Sequence, residues 1–276
     1  MSKLTPEDVV LRYSKRGMNI LKKYLKDGYC RTAAEKLLHA ERGTVLLTTG
    51  FYVAGYAETD GPLGTVAVAE ALNHLGFHSV VVTDKYCKGF FELKQLDVEY
   101  VDIAADEQVY EDILDKYHPV YMISIERCGE NAEHEYANMR GVSITSETAA
   151  IDHLFELASE KHIPTIGVGD GGNEIGMGNV KDIISEKLEL NPCVVPVDDL
   201  IIATTSNWGA YALTAWLQKL SGEEVLFTYE EAEPYLAATL EIGSVDGVLK
   251  EKKMGVDGFD MTVEKEILDS LAEAIA

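Results

Sequence analysis

Short apolar runs alternate with amphipathic or turn-rich stretches over most of the chain. Six runs rich in β-branched and other apolar residues follow residue 43, and each precedes a stretch that can carry the chain back across a sheet. This alternation predicts an α/β fold with a doubly wound, mostly parallel, Rossmann-like sheet. The six predicted strands are 44–49, 79–83, 98–101, 120–125, 165–169 and 200–205.

The first 40 residues follow a different pattern. Apolar side chains recur at helical spacing from residue 5 to about residue 28, with Thr5 as a suitable N-cap and Pro6 in the first turn. A second short helix is predicted over 31–39. We therefore expect an N-terminal helical arm (1–40) and a single α/β domain (41–276). The arm can cover its own domain or mediate self-association, so a homo-oligomer is one of two expectations.

Composition and charge argue against several classes of partner. With 24 basic and 47 acidic residues the formal net charge is -23, so we expect no general binding to nucleic acid or to an anionic membrane. No apolar run approaches the ~18 residues of a membrane span, and the first residues lack a signal-peptide core, which predicts a cytoplasmic protein. Four widely spaced cysteines indicate neither a disulfide framework nor a thiolate zinc site.

Polar loops follow the predicted strands, and in a parallel sheet these loops gather at the ligand-binding edge. After the first strand, Thr49 begins a loop that ends in ETDGPLG (58–64). The helix start at Gly61 can bind an anion, and Thr49, Glu58 and Asp60 are further candidate substrate contacts. Asp60 could instead serve only as a helix cap. The loop lacks both GxGxxG and the P-loop lysine, so no nicotinamide, flavin or nucleoside triphosphate is expected.

The fourth predicted strand runs directly into Glu126 and Arg127, and Arg140 follows in the next loop. A charged pair that leaves an apolar run must be solvated, paired or functional, because an unpaired buried charge is costly. Glu126 is a candidate catalytic carboxylate, and either arginine can present a planar fork to a substrate carboxylate. A structural Glu–Arg bridge is the alternative. Cys128 has no base beside it in the sequence, which argues against a nucleophilic thiolate.

The most distinctive segment is GVGDGGNEIGMG (167–178), after the fifth strand. Ordering so many glycines is costly, which favours a tight ligand-binding turn over a simple turn with solvated acids. Asp170 and Glu174 are candidates for proton transfer. Carboxylate and amide oxygens suit Mg²⁺ or Mn²⁺, and the candidate metal ligands are Asp170, Asn173 and Glu58. The candidate substrate contacts in this segment are Gly171, Gly172 and Asn173.

Ser206 and Asn207 open the helix that follows the sixth strand. Each could be only a helix cap, but their position among the other polar loops makes them candidate substrate contacts. The sequence has no Gly-x-Ser-x-Gly elbow and no HExxH motif, so serine-hydrolase and zinc-protease chemistry lack support.

Several motifs, in this order, together resemble those of the D-glutamate cyclase-like family. They are ETDGPLG (58–64), SIER (124–127), NMRG (138–141), GVGDGGNEIGMG (167–178) and two VDG triplets at 245–247 and 256–258. The resemblance spans about residues 40–262 and concerns the C-terminal domain of the animal mitochondrial members, which also occurs alone in prokaryotes. It implies a lyase that converts D-glutamate to 5-oxo-D-proline and water. The N-terminal domain of the animal members is not in this sequence, which leaves open a separately encoded partner domain.

That reaction needs a base for the α-ammonium, an electrophile at the γ-carboxyl oxygen and an anchor for the α-carboxylate. The candidate bases are Glu174 and Asp170, the candidate electrophile is a Mg²⁺ ion, and the candidate anchors are Arg127 and Arg140. Two other functions remain open. One is an enzyme or binding protein for another small anionic metabolite, either phosphorylated or amino-acid-like. The other is a non-catalytic module that acts with a partner domain.

Overall fold

The computed structural model describes residues 4–276, so the first three residues of the predicted arm lie outside the described residues. The α-helices are α1 (Pro6–Val10), α2 (Met18–Leu21), α3 (Tyr29–His39), α4 (Pro62–His74), α5 (Glu107–Tyr117), α6 (His153–Lys161), α7 (Lys181–Leu188), α8 (Ser206–Ser221), α9 (Tyr229–Ile242) and α10 (Met261–Ile275). The strands are β1 (Thr44–Thr48), β2 (Tyr52–Val53), β3 (Tyr56–Ala57), β4 (His78–Thr83), β5 (Asp97–Tyr100), β6 (Tyr121–Ile125), β7 (Thr165–Gly169), β8 (Asp199–Ile202), β9 (Gly255–Val256) and β10 (Phe259–Asp260). Short 3-10 helices cover Lys22–Tyr24, Lys85–Cys87, Phe91–Lys94, Thr145–Glu147 and Met177–Val180.

Six parallel strands form the central sheet, in the order β5-β4-β1-β6-β7-β8. If only these six strands are numbered, from 1 to 6 in chain order, their order across the sheet is 3-2-1-4-5-6. This is the order of a Rossmann-type doubly wound sheet. The predicted fold class and all six predicted strands are confirmed. The strand order reverses between β1 and β6, so a crevice opens beyond the carboxyl ends of these two strands.

The central strands are mostly apolar and are buried along nearly their whole length, because helices cover both faces of the sheet. All five residues of β6 are buried, as are four of the five residues of β1. The edge strand β5 is more exposed and begins with the charged residue Asp97. This continuous burial explains why the strands appear in the sequence as apolar runs and not as alternating patterns.

Helices α4 and α8 both begin at the crevice and pack against each other. Gly64 permits this close approach, since a Cβ atom there would lie 2.7 Å from the Cβ of Ala210 and 2.9 Å from the Cα of Asn207. Helix α8 starts after Thr205, whose hydroxyl accepts a hydrogen bond from the backbone N–H of Trp208. The helix pair thereby brings two helix N-termini to the same edge of the sheet.

The prediction of one continuous helix over 5–28 is wrong. The chain forms α1, an irregular segment, α2 and a 3-10 turn before α3 begins. Gly17 and Gly28 have φ angles of +84° and +71°, which lie in the left-handed region and interrupt the helix. The division into an arm (1–40) and a domain (41–276) stays a prediction, although Val9 and Val10 of α1 are buried in the main core. Within residues 4–276, no helix combines the length and apolar character needed to cross a bilayer.

Candidate active site

A cavity of about 290 Å³ lies beyond the carboxyl ends of β1 and β6. Its walls come from the loops after β1, β6 and β7, from residues 247–250, and from Arg16 between α1 and α2. A larger open groove of about 830 Å³ lies around Lys36 and His162, at the amino ends of the strands. We place the site in the smaller cavity because motif residues from three loops, Glu58, Glu126 and Asn173, line it.

Glu126 is the carboxylate that the end of β6 places in the cavity wall. It is 5% exposed, and its hydroxyl partner Ser206 donates a short hydrogen bond to Oε2. Burial, together with the charges of Asp170 and Glu174, raises the pKa of Glu126 well above its ordinary value. Its φ angle of +49° is an unusual backbone conformation for a residue with a side chain, and such strain is concentrated at functional sites. Glu126 is therefore suited to hold and release a proton.

Glu58 is a second buried carboxylate of the same cavity. Burial and the neighbouring charge of Asp257 raise its pKa well above the ordinary value. Gly247 lies against it so closely that a Cβ atom at this position would be 1.8 Å from Oε2 of Glu58. The glycine of the first VDG triplet is therefore required for the fit around Glu58.

Asp60 and Asn207 cap each other's helices. The carboxylate of Asp60 accepts hydrogen bonds from the backbone N–H groups of Ser206 (2.9 Å), Asn207 (2.7 Å) and Gly61 (3.0 Å). The side-chain oxygen of Asn207 accepts from the N–H groups of Gly61 (2.9 Å) and Gly64 (2.7 Å). Burial and Asp257 raise the pKa of Asp60 to about 8, against the lowering effect of its backbone donors. The helix start at Gly61, predicted to bind an anion, is thus occupied by side chains of the protein itself.

Glu174 lies inside the glycine-rich loop and accepts hydrogen bonds from its backbone. Oε1 accepts from the N–H of Gly171 and Oε2 from the N–H of Gly172, each at 2.7 Å. A longer contact of 3.4 Å joins Oε1 to the N–H of Asp170. These bonds occupy both carboxylate oxygens of Glu174. They also occupy the N–H groups of Gly171 and Gly172, which were predicted to contact the substrate. The geometry is that of a carboxylate that shapes the loop.

Asn173 presents an unused acceptor at the cavity. Its Nδ2 donates to the carbonyl of Ala137 at 2.7 Å, while its Oδ1 is buried and has no hydrogen-bond partner. The residue is 7% exposed and lines the cavity. A buried acceptor without a partner is costly, so this oxygen favours a ligand that brings a donor.

The two candidate anchor arginines lie in different surroundings. Arg127 is fully buried and is not among the described residues that line the cavity. Its Nη1 donates to Oδ2 of Asp84 (2.6 Å) and to the carbonyl of Gly50 (2.7 Å), and its Nη2 donates to the carbonyl of Ala149 (2.7 Å). Arg127 therefore forms a structural ion pair, with Asp84 and not with Glu126. Arg140 is exposed, lines the cavity, and its guanidinium is unpaired among residues 4–276.

The sequence patterns did not single out Arg16 or Lys250, and they marked Asp257 only as part of the second VDG triplet. Nη1 of Arg16 lies 2.7 Å from both carboxylate oxygens of Asp170 and 2.7 Å from Oδ2 of Asp257. Arg16 was hidden by the expectation of a continuous helix. Lys250 lines the cavity and makes no ion pair with another described residue, but nothing in the sequence marks it.

The second VDG triplet forms the turn of the β9–β10 hairpin. Asp257 and Gly258 have φ angles of +52° and +79°, as a type I′ turn requires, and the Asp-Gly pair was a usable signal for this hairpin. Asp246 of the first triplet holds the two triplets together, because its Oδ2 accepts from the N–H of Gly258 at 2.8 Å. Both triplets thus support the cavity from the same side.

Of the acidic residues predicted as metal ligands, Asp170 lies in a cluster with Asp60 and Glu126, and Glu58 is not part of that cluster. One oxygen from each of the three carboxylates lies within 4.8 Å of the others. However, the oxygens of Asp60 already accept backbone N–H groups, and both oxygens of Asp170 contact the Arg16 guanidinium. A Mg²⁺ or Mn²⁺ ion needs several oxygens that are free to coordinate it, so this arrangement does not fit such an ion.

Cys128 is buried, and burial raises the pKa of its thiol above the ordinary value. Since the thiolate is the nucleophilic form, this environment agrees with the absence of a base in the sequence and argues against covalent catalysis by Cys128.

The fold and the cavity define an α/β protein with a small cavity, lined by buried carboxylates, at the switch point of a doubly wound sheet. The family model described as D-glutamate cyclase-like, C-terminal, matches residues 7–272, and the chain belongs to this family. The human protein D-glutamate cyclase, mitochondrial, is 34% identical over 211 residues, which are 67% of this chain and 34% of the human protein. The resemblance found in the motifs is confirmed, and the chain spans about a third of the length of that relative.

Solved structures give weaker likenesses. The Bordetella bronchiseptica enzyme WbmG in complex with NAD has a TM-score of 0.32 and 13% identity, over 65% of this chain and 50% of that protein. UDP-GlcNAc 2-epimerase from Methanocaldococcus jannaschii has a TM-score of 0.34 and 12% identity, over 74% of this chain and 54% of that protein. Likenesses of this size support no conclusion about ligand or function.

Proposed function

We propose that this protein converts D-glutamate to 5-oxo-D-proline and water. Membership of the family and the identity with human D-glutamate cyclase support the reaction class. The distribution of charge in the cavity is the observation that carries the proposal. Acceptors from Glu58, Glu126 and Asn173 line the cavity together with the unpaired cations of Arg140 and Lys250.

This distribution matches the charges of an amino acid. An ammonium group would donate to Glu126 and to the free Oδ1 of Asn173, and Arg140 would bind the α-carboxylate through its planar fork. A volume of about 290 Å³ suits a small metabolite. Phosphorylated metabolites are disfavoured, because the buried carboxylates would face the phosphate.

Cyclisation moves two protons from nitrogen to oxygen. Glu126 takes one proton from the α-ammonium, the amine attacks the γ-carboxyl carbon, and protonated Glu58 gives its proton to a γ-carboxyl oxygen. A new C–N bond forms. Glu58 then takes the second proton from nitrogen while Glu126 protonates the leaving oxygen, so one C–O bond breaks and water departs.

Both carboxyl groups return to their starting states, and the net charge of substrate and product is the same. The raised pKa values of Glu58 and Glu126 favour this exchange, because one group must be protonated near neutral pH.

Chiral chromatography of the purified protein with D-glutamate tests the proposal. We expect 5-oxo-D-proline from D-glutamate, with L-glutamate as the stereochemical control and Glu126→Gln as the inactive control. Folded wild-type protein that binds D-glutamate without forming product would contradict catalysis by this chain and favour a module that needs a partner domain. Protein that neither binds nor converts D-glutamate would favour another amino-acid-like anion.

A further inference from the structure

Arg16 reaches the cavity from the irregular segment between α1 and α2, and its neighbours fix that segment on the β9–β10 hairpin. The ring of Tyr13 lies 6.0 Å from the ring of Phe259, and Nζ of Lys15 lies 4.7 Å from the same ring centroid. Arg12 forms an ion pair with Glu266 of α10. These contacts hold the backbone that carries Arg16. The position of its guanidinium is therefore fixed by a packed segment of the chain.

The guanidinium of Arg16 has one end bound and one end free. The hydrogen bonds to Asp170 and the 2.7 Å contact with Asp257 all involve Nη1. Nε and Nη2 donate to none of the described residues, although Arg16 lines the cavity and its side chain is 27% exposed. The two aspartates therefore orient a planar donor pair whose free edge is available to a ligand carboxylate.

We propose that Arg16 is a catalytic residue that binds the γ-carboxylate of the substrate through Nε and Nη2 and stabilises the oxyanion formed during cyclisation. This inference rests on the proposed function. Attack by the amine moves negative charge onto a γ-carboxyl oxygen, and a donor fixed in place before the reaction stabilises that charge most effectively. The carboxylate cluster does not fit a divalent ion in this arrangement, and Arg16 supplies the cation from within the chain.

In this arrangement each of two arginines binds one carboxylate of the substrate. Arg140 binds the α-carboxylate and Arg16 the γ-carboxylate, while the ammonium group faces Glu126. This arrangement assigns the site to α-amino dicarboxylic acids. A monocarboxylic amino acid would leave the free edge of Arg16 without its partner, so we expect it to bind more weakly.

Kinetics of Arg16→Met and Arg16→Lys test this role, with Arg31→Met as a matched arginine control in α3. We expect Arg16→Met to lower kcat about 10²- to 10³-fold, as the loss of one oxyanion donor does in other enzymes, and Arg16→Lys to keep part of the activity. Arg31→Met should keep wild-type kinetics, because Arg31 is exposed, pairs with Glu35 of the same helix and is outside the cavity. Added methylguanidinium should restore part of the turnover of Arg16→Ala, which a merely structural arginine would not allow.

Calorimetry with D-glutamate separates this inference from the proposed function. Wild-type protein that neither binds nor converts D-glutamate would contradict the proposed function. A different result would contradict only the role of Arg16. In that case wild-type protein binds D-glutamate, and folded Arg16→Met binds it equally well and has unchanged turnover. If Arg16→Met does not fold, folded Arg16→Lys decides by the same comparison.

Discussion

Nη1 of Arg16 lies 2.7 Å from both carboxylate oxygens of Asp170, across a separation of 154 positions in the sequence. The pair joins the segment after α1 to the glycine-rich loop after β7. Asp170 is fully buried, and burial raises its pKa while Arg16 lowers it. The N-terminal segment therefore contributes a charge to the interior of the site.

Glu126→Gln should abolish most turnover and should also change how stability depends on pH. Loss of a general acid–base group lowers kcat by about 10²- to 10⁴-fold. The glutamine Oε1 can still accept the hydrogen bond of Ser206, so the fold should remain intact. Steady-state kinetics with D-glutamate would measure the first effect, and turnover close to wild type would contradict the assigned role.

The stability effect of Glu126→Gln follows from the raised pKa of Glu126. A carboxyl group with a folded-state pKa above its ordinary value of 4.5 stabilises the fold fully at lower pH and loses this contribution as the pH rises through the folded-state pKa. Glutamine carries no such dependence. The Tm of the variant relative to wild type should therefore increase from pH 4.5 to pH 8, and thermal unfolding at both pH values would show whether it does.

Arg140→Met and Arg127→Met should have opposite effects. Arg140 is exposed and unpaired, so its replacement should raise KM for D-glutamate about tenfold or more while Tm stays near wild type. Arg127 is buried, and its replacement leaves Asp84 without its partner, at a cost of roughly 3–5 kcal/mol. Kinetics and thermal unfolding of both variants would distinguish them. A stable Arg127→Met protein with a raised KM would reverse the assignment.

Glu174→Gln should destabilise the protein by about 1–3 kcal/mol. A glutamine keeps one acceptor oxygen but turns an NH₂ group toward one of the two glycine N–H groups that Glu174 now binds. Chemical denaturation would measure the loss, with the exposed Glu186→Gln as a control outside the loop. Unchanged stability with lost turnover would instead support Glu174 as the base.

The fold could be predicted from the sequence because strands buried on both faces appear as uninterrupted apolar runs. The structure of the N-terminal arm could not be predicted in the same way, because its apolar spacing continues past Gly17. Only the left-handed backbone at Gly17 shows that the helical pattern is interrupted there. The glycine-rich motif follows β7 and lies at the carboxyl edge of the sheet, as its place in the sequence predicted. Residue roles were harder, since Arg127 and Arg140 look alike in sequence and differ only in what surrounds them.

The carboxylate cluster shows the same limit. Asp60, Asp170 and Glu126 come from three different loops, and their mutual distances depend on strand order. The sequence supplied candidate oxygen ligands for a metal ion, but it could not show that backbone N–H groups and Arg16 already bind two of the three carboxylates. Which carboxylates are already bound by donors of the protein can be seen only in the folded structure.

Wild-type protein dialysed against EDTA should retain its turnover of D-glutamate. The guanidinium of Arg16 already provides the positive charge beside Asp170, and the oxygens of Asp60 are bound to backbone N–H groups. A divalent ion would have to displace Arg16 before it could bind. Loss of activity on dialysis, with recovery on addition of Mg²⁺ or Mn²⁺, would contradict this prediction.

Binding of Mn²⁺ to wild type and to Arg16→Met, followed by electron paramagnetic resonance, measures the same competition without turnover. Removing the guanidinium frees both oxygens of Asp170 and leaves the negative charge of the cluster uncompensated. We therefore expect Arg16→Met to bind Mn²⁺ more tightly than wild type does, and Asp170→Asn in the same background to remove the gain. Tighter binding by wild type than by Arg16→Met would show that the ion and the guanidinium occupy separate places.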